Sequence, residues 1–189
     1  MKTDKIIYAG IGSRETPSVI LGVFKKLSSD LEDMGVLLRS GGAPGADSAF
    51  ALGVKEEKHK RIYIPSNGFN GLYDRKDNMI MDCRKLTKDI KDQSRIIVNR
   101  FHPNPRALKP YAMELMMRNT YQILGHTLNL VSNFVVCWTV NGDLVGGTAQ
   151  ALRLAKAYDI PVFNFGKCYN ISQCNKLVNE VFVFVKSIK

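Results

Sequence analysis

Residues 36–58 read VLLRSGGAPGADSAFALGVKEEK. The apolar run Val36–Arg39 stops at a serine and two glycines, a strand running into a glycine-rich loop. From Ala46 to about Lys58 the spacing turns helical. A strand, a loop of small residues and a helix in that order form half of a βαβ unit, and the next strand, Arg61–Pro65 (RIYIP), completes it.

Working outward, Lys5–Ala9 (KIIYA) is another short β-branched and aromatic strand, and it leads into GIGSRE. Thr16 then precedes Pro17, reading as an N-cap followed by proline at the first helical position. Ile20, Val23, Phe24, Leu27, Leu31 and Met34 recur at helical spacing up to Gly35. Helical crossovers of this length make the strands parallel and the connections right-handed.

Ser66–Ala107 is less regular, with turn signals at NGFNG and HPNP and one helix between them. Beyond it, Tyr111 to about Gly125 reads as a helix, Asn133–Thr139 as the most apolar strand, Gly147–Tyr158 as a helix and Pro161–Phe165 as a last strand. The chain closes with a helix from about Ser172, in which the FVFV stretch reads equally well as a strand. The expectation is one Rossmann-like α/β domain over residues 1–189, a doubly wound, mainly parallel sheet with helices on both faces. Its crevice belongs at the carboxyl ends of the strands, where the strand order reverses.

With 189 residues, 45% of them hydrophobic, the chain has the size of one ordinary domain. The longest apolar stretches fall well short of a membrane span of roughly 18 residues, and the first residues carry no secretory signal pattern, so a cytoplasmic protein without membrane contact is expected. Cys83, Cys137, Cys168 and Cys174 show no metal-ligand spacing with one another or with His59, His102 and His126. They read as reduced, mostly buried thiols, with no metal site. The net charge of +10 calls for an anionic partner.

Three glycine loops leave strand ends and open helices: GIGSR at 10–14, SGGAPGAD at 40–47 and NGDLVGGT at 141–148. Glycine lets a backbone approach a ligand closely, and free amides at a helix start favour anions. Gly12, Ser13, Arg14, Ser40, Gly41, Gly42, Ala43, Gly45, Gly146, Gly147 and Thr148 are therefore candidate phosphate or nucleotide ligands. The dinucleotide fingerprint fails, because Glu15 stands at its third glycine, and Arg39 and Ser40 stand where a nicotinamide enzyme needs an acid. No P-loop lysine is present. Asp47, a carboxylate among anion-loving amides, either caps its helix or holds sugar hydroxyls. Glu114 and Arg118 lie four apart on one helix; they form an i,i+4 pair, or else Arg118 binds phosphate and Glu114 serves as acid or base.

GSR at 12–14, SGGAPGAD at 40–47, RN at 118–119, FVVCWT at 134–139 and GGTAQALRLAKAYDIPVFNF at 146–165 together resemble the DprA/SMF and LOG superfamily of Rossmann-like nucleotide-binding proteins, including its small YspA-like members. The resemblance implies a nucleotide or nucleotide-derived small molecule as ligand, no cofactor, and a phosphate role for Arg118 and Asn119. Through the LOG branch it implies recognition of a nucleoside 5′-monophosphate with N-glycosidic cleavage, for which Asp47, Glu114 or Asp143 could supply the carboxylate, Asp47 and Glu114 being the candidate catalytic residues. The LOG glutamate itself is missing, since its stretch here holds Gln150 and Ala151. Through the DprA branch it implies single-stranded DNA binding without catalysis. Relatives are often dimers, so a homodimer is expected.

Between Arg84 and Lys109, eight basic residues against two acidic ones leave a net charge of +6. Lys88, Lys91, Arg95, Arg100 and Arg106 are the candidate nucleic-acid contacts, with Phe101 or Tyr111 to stack on bases. The alternative is a solvated helix face.

Overall fold

A computed structural model describes residues 5–189. In chain order the elements are β1 (Ile7–Gly12), α1 (Ser18–Asp33), β2 (Leu37–Ser40), α2 (Ala46–Gly53), β3 (Lys60–Ile64), β4 (Ile80–Asp82), α3 (Lys88–Phe101), α4 (Pro110–Leu124), β5 (Phe134–Trp138), α5 (Thr148–Ala157), β6 (Val162–Asn164) and α6 (Ile171–Ser187). The six strands form one sheet in the order β4-β3-β2-β1-β5-β6, and all five pairings are parallel. The chain thus winds outward from β1 in one direction, then crosses over to β5 on its other side. The switch point lies between β1 and β5.

Both faces of the sheet are covered, which is why β1 and β5 at its centre are apolar at every position. Side chains alternate between faces. Tyr8 of β1 and Phe134 and Val136 of β5 join a cluster with Phe24, Phe50 and Val181 from α1, α2 and α6. Ala9, Ile11, Val135 and Cys137 point the other way, onto Ile123 and Leu124 of α4 and Leu154 and Ala155 of α5. The first cluster is aromatic, with Phe24 stacked on Phe50 at 4.2 Å between ring centroids.

Several boundaries differ from those read in the sequence. β1 continues through Gly10 and Gly12, because its ladder with β5 runs on to the Gly12–Trp138 pair. A Cβ at Gly10 would sit 2.6 Å from the Phe50 ring and one at Gly12 would sit 2.7 Å from the Ala46 Cβ. These glycines let α2 press onto the strand; they do not form a turn. Helix α1 starts at Ser18 with Pro17 at its cap position, while the Thr16 hydroxyl donates to the Ser13 carbonyl (2.7 Å) and so fastens the loop instead of the helix.

Helix α2 ends at Gly53, well before Lys58. The chain turns there because the Glu32 carboxylate draws in the Lys55 amide (2.6 Å), the Glu56 amide (2.8 Å) and His59 Nδ1 (2.8 Å). Burial pushes the Glu32 carboxyl up, but these bonds outweigh it and hold it below the ordinary glutamate value. Its stabilising contribution is therefore complete above the ordinary glutamate range and fades as pH falls through the lowered value. Glu32→Gln removes an acceptor that three donors share, and an unfolding free energy lowered by about 1–3 kcal/mol at pH 7 is expected, with the difference shrinking as pH falls below the ordinary glutamate range. Urea denaturation of both proteins across that range checks it.

The irregular region holds β4, a three-residue edge strand, as well as the expected helix α3. FVFV belongs to α6, with Val181 and Val185 buried four residues apart and Val183 exposed. Cys83, Cys137 and Cys174 are buried and Cys168 half-buried, all as free thiols. Among the described residues no helix is long and apolar enough to cross a membrane.

Candidate functional site

A cavity of about 420 Å³ opens at the switch point, at the carboxyl ends of β1 and β5. Its walls are the loop after β1, the start of α2, the middle of α4 and the loop from Thr139 to Thr148. Of the candidate ligands, Gly12, Ser13, Arg14, Ala43, Arg118, Asn119, Gly146, Gly147 and Thr148 line it, together with Asp47. All three glycine loops converge there.

Ser40, Gly41, Gly42 and Gly45 do not line the cavity; they hold up its wall. The buried Ser40 hydroxyl donates to the Gly10 carbonyl (2.7 Å), bracing β2 against β1. Gly45 has φ of +84°, and a Cβ there would stand 2.7 Å from the Ser13 carbonyl oxygen and 2.8 Å from the Arg14 backbone. Gly42 accepts at its carbonyl from Asn70 Nδ2 (3.0 Å), which ties the loop after β3 to this one.

Asp47 and Arg118 dominate the inner wall. They are 3% and 6% exposed and joined by Arg118 Nη1 to Asp47 Oδ2 at 3.0 Å, across 71 residues of sequence. The expected alternative, an ion pair between Glu114 and Arg118 along α4, does not form. Arg118 turns inward to the buried carboxylate, whereas Glu114 stays off the cavity and exerts its charge on Arg84. Glu114, a catalytic candidate in the sequence, does not line the cavity, although its neighbours Leu115 and Met116 do.

Asp47 also accepts from the Ala43 amide at 3.3 Å, a bond within its own loop at the first turn of α2. Burial raises its pKa, and the nearby Arg118 guanidinium, with the Ala43 and Gly12 amides, offsets only part of that. The Arg118 Nε is buried with no partner among the described residues. Gln122, which the sequence did not single out, completes the network. With its amide oriented to suit its neighbours, Oε1 accepts from Gly41 N (2.8 Å) and Arg118 Nη1 (3.2 Å), and Nε2 donates to Asn119 Oδ1 (3.1 Å). Asn119 in turn donates to the Gly147 carbonyl (2.8 Å), so α4 pins the last glycine loop.

Phe69 is a second residue missed in the sequence, its ring lying 5.8 Å from the Arg118 guanidinium carbon. No local spacing announces it. The polar groups left unengaged on the outer wall are few. Arg14 is exposed and makes no ion pair among the described residues, and Val140 and Val145, 41% and 49% exposed, form an apolar rim opposite. Gln150 is buried with neither amide atom bonded among the described residues, and Ala151 supplies a bare methyl to the cavity.

The basic segment lies outside the cavity. Lys88, Arg95, Arg100 and Arg106 are exposed, Lys91 is half-buried and donates to the Arg84 carbonyl (3.0 Å), and none of the five is ion-paired among the described residues. Phe101 is half-buried and packs against the α4 and α5 cluster, with the Arg100 guanidinium 5.3 Å from its ring centroid. Tyr111, at the start of α4, is exposed.

Against solved structures, the fold is similar to that of DNA processing protein A from Helicobacter pylori, a protein described for its single-stranded DNA binding mode. The TM-score is 0.59 at 17% identity, over 94% of this chain and 80% of that one, a likeness of fold. Among curated proteins none matches. The family model described as DNA recombination-mediator protein A matches residues 2–188, nearly the whole length, and the chain belongs to that family.

Proposed function

We propose that the chain binds single-stranded DNA, seating one nucleotide unit of the strand in the switch-point cavity and the neighbouring phosphates on the basic face of α3. The observation that carries this reading is the character of the cavity. It is of nucleotide-binding size, it presents an uncommitted arginine and helix-start amides, and its innermost carboxylate is already neutralised by Arg118. Family membership and the ligand of the Helicobacter pylori relative support the same reading.

In this reading Arg14 forks onto a phosphate and Ser13 and Thr148 donate to its remaining oxygens. The rim of Val140 and Val145 packs against the base. Lys88, Lys91, Arg95, Arg100 and Arg106 supply screened, sequence-independent attraction. Glycosidic cleavage fits this wall poorly. It needs a free carboxylate beside the sugar to stabilise developing positive charge, and Asp47 is tied to Arg118 while Glu114 does not line the cavity.

Fluorescence anisotropy of a labelled oligothymidylate against salt tests the proposal. Binding should weaken linearly in log–log form with added salt. Arg14→Ala is expected to weaken it about tenfold, while Lys88→Gln with Arg95→Gln should lower the salt slope by about one for each phosphate no longer held. Absence of binding at low salt, or a flat slope, overturns the reading. Release of free base from nucleoside monophosphates would restore the hydrolytic one.

A further inference from the structure

At the opposite end of the sheet, the amino ends of β1, β2 and β3 and the turn after α4 enclose a second cavity of about 160 Å³. Its charged lining is Arg39, Arg61, Lys58, Lys60, His59 and His126, and among the described residues no aspartate or glutamate lines it. Three of these groups are already engaged: Lys60 with Glu57 (2.6 Å), Lys58 with Glu56 (3.4 Å) and His59 with Glu32 (2.8 Å). Arg39 and Arg61 have no carboxylate partner among the described residues.

Arg39 is 3% exposed, and its Nη1 donates to the Leu130 carbonyl and to Ser132 Oγ (3.3 Å). Arg61 donates to the Lys58 and Lys60 carbonyls and to the Met79 sulfur. Neither meets a carboxylate among the described residues; Asp77 is within electrostatic range of Arg61 but pairs with Arg75 at 2.6 Å. Arg39 and Arg61 are also register partners on adjacent strands, so both side chains leave the same face of the sheet and the charge of Arg61 bears on Arg39. Like charges directly opposite in a sheet repel, and a buried charge without a counter-charge is strongly unfavourable. An anion in the cavity that both line would offset both costs.

We propose that this cavity binds a small oxyanion of the phosphate class, held by Arg39 and Arg61 with His126 and the Tyr63 hydroxyl at its edge. The Tyr63 hydroxyl lies beside Arg39. The volume takes a tetrahedral oxyanion with a few waters and leaves little space for a nucleoside. The site is separate from the switch-point cavity, since the two share no lining residue.

His126 reports occupancy. Burial, then the charges of Arg39 and Arg61, hold its pKa below the ordinary histidine value. An oxyanion beside it must raise that value, because an opposite charge favours the imidazolium. The test is an NMR titration of the full chain with inorganic phosphate, following the His126 ring resonances across pH, in a background carrying Arg14→Ala to weaken the other cavity. The expected result is a saturable shift with an upward move of the His126 titration. Arg61→Met, at a half-exposed position that leaves folding intact, should weaken phosphate about tenfold. Arg39→Met should abolish the effect if it folds. Adenosine monophosphate in a parallel arm identifies the source: a response at lower concentration than phosphate assigns a phosphomonoester to the same site, and a weaker response assigns the free ion. His126 resonances that do not move with phosphate, or that move equally in Arg61→Met, overturn the proposal.

Discussion

Replacing Gly41 with alanine lowers folding stability by about 3–5 kcal/mol, the range for breaking a buried ion pair. An added Cβ at this position would lie 1.3 Å from Arg118 Nη1 and 2.5 Å from its Cζ, in the space the guanidinium fills. The arginine must leave, Asp47 is deprived of its partner, and the Gly41 amide is deprived of the Gln122 oxygen. Other glycines of the loop act by positive φ; Gly41 acts by giving up a side chain's volume to a residue 77 positions later. The check is a mutant cycle in guanidinium chloride. In an Asp47→Asn, Arg118→Met background the same alanine is expected to cost about 1 kcal/mol, because a flexible thioether can move aside. An equal loss in both backgrounds would place the effect in the backbone instead.

The second large effect belongs to Arg118→Met, and it depends on pH. Asp47 already ionises reluctantly because it is buried, and without the guanidinium its pKa rises further. An acid whose folded pKa exceeds its unfolded one destabilises the native state as pH climbs through that interval. Arg118→Met should therefore be close to wild type near pH 4, where Asp47 is largely protonated in the folded variant, and about 3–5 kcal/mol less stable at pH 8. Adding Asp47→Asn should recover most of that loss and flatten the pH profile. Denaturation midpoints at the two pH values decide it, and a deficit that stays constant between them would mean that poorer packing, not stranded charge, is responsible.

The regular parts of the fold were legible because short-range signals specify them. β2, the loop at 40–47 and β3 announce a parallel unit through period and punctuation alone, and the three glycine loops do converge on one cavity. β4 escaped because three residues, one of them Asp82, carry no alternation to read. The end of α2 escaped because it is set by Glu32, more than twenty positions earlier in the chain. Arg118 was singled out for phosphate by its resemblance to relatives and by its place on a helix. Its bond to Asp47 spans the molecule, and spacing along one helix pointed to Glu114 instead. Gln122 and Phe69 had no signal of any kind; they matter only through what tertiary packing brings beside them.

The strand order also governs when a ligand site can exist during synthesis. In chain order β1 meets its neighbour β2 within about thirty residues, but its other neighbour, β5, begins only at Phe134. Until then one long edge of the central strand stays open, a liability for mispairing that α4 and α5 are not yet present to cover. The switch-point cavity is built across that late seam, between the loop at Gly12–Glu15 and the one at Thr139–Thr148. A nascent chain therefore completes the walls of its cleft only after β5 has been made and has paired with β1.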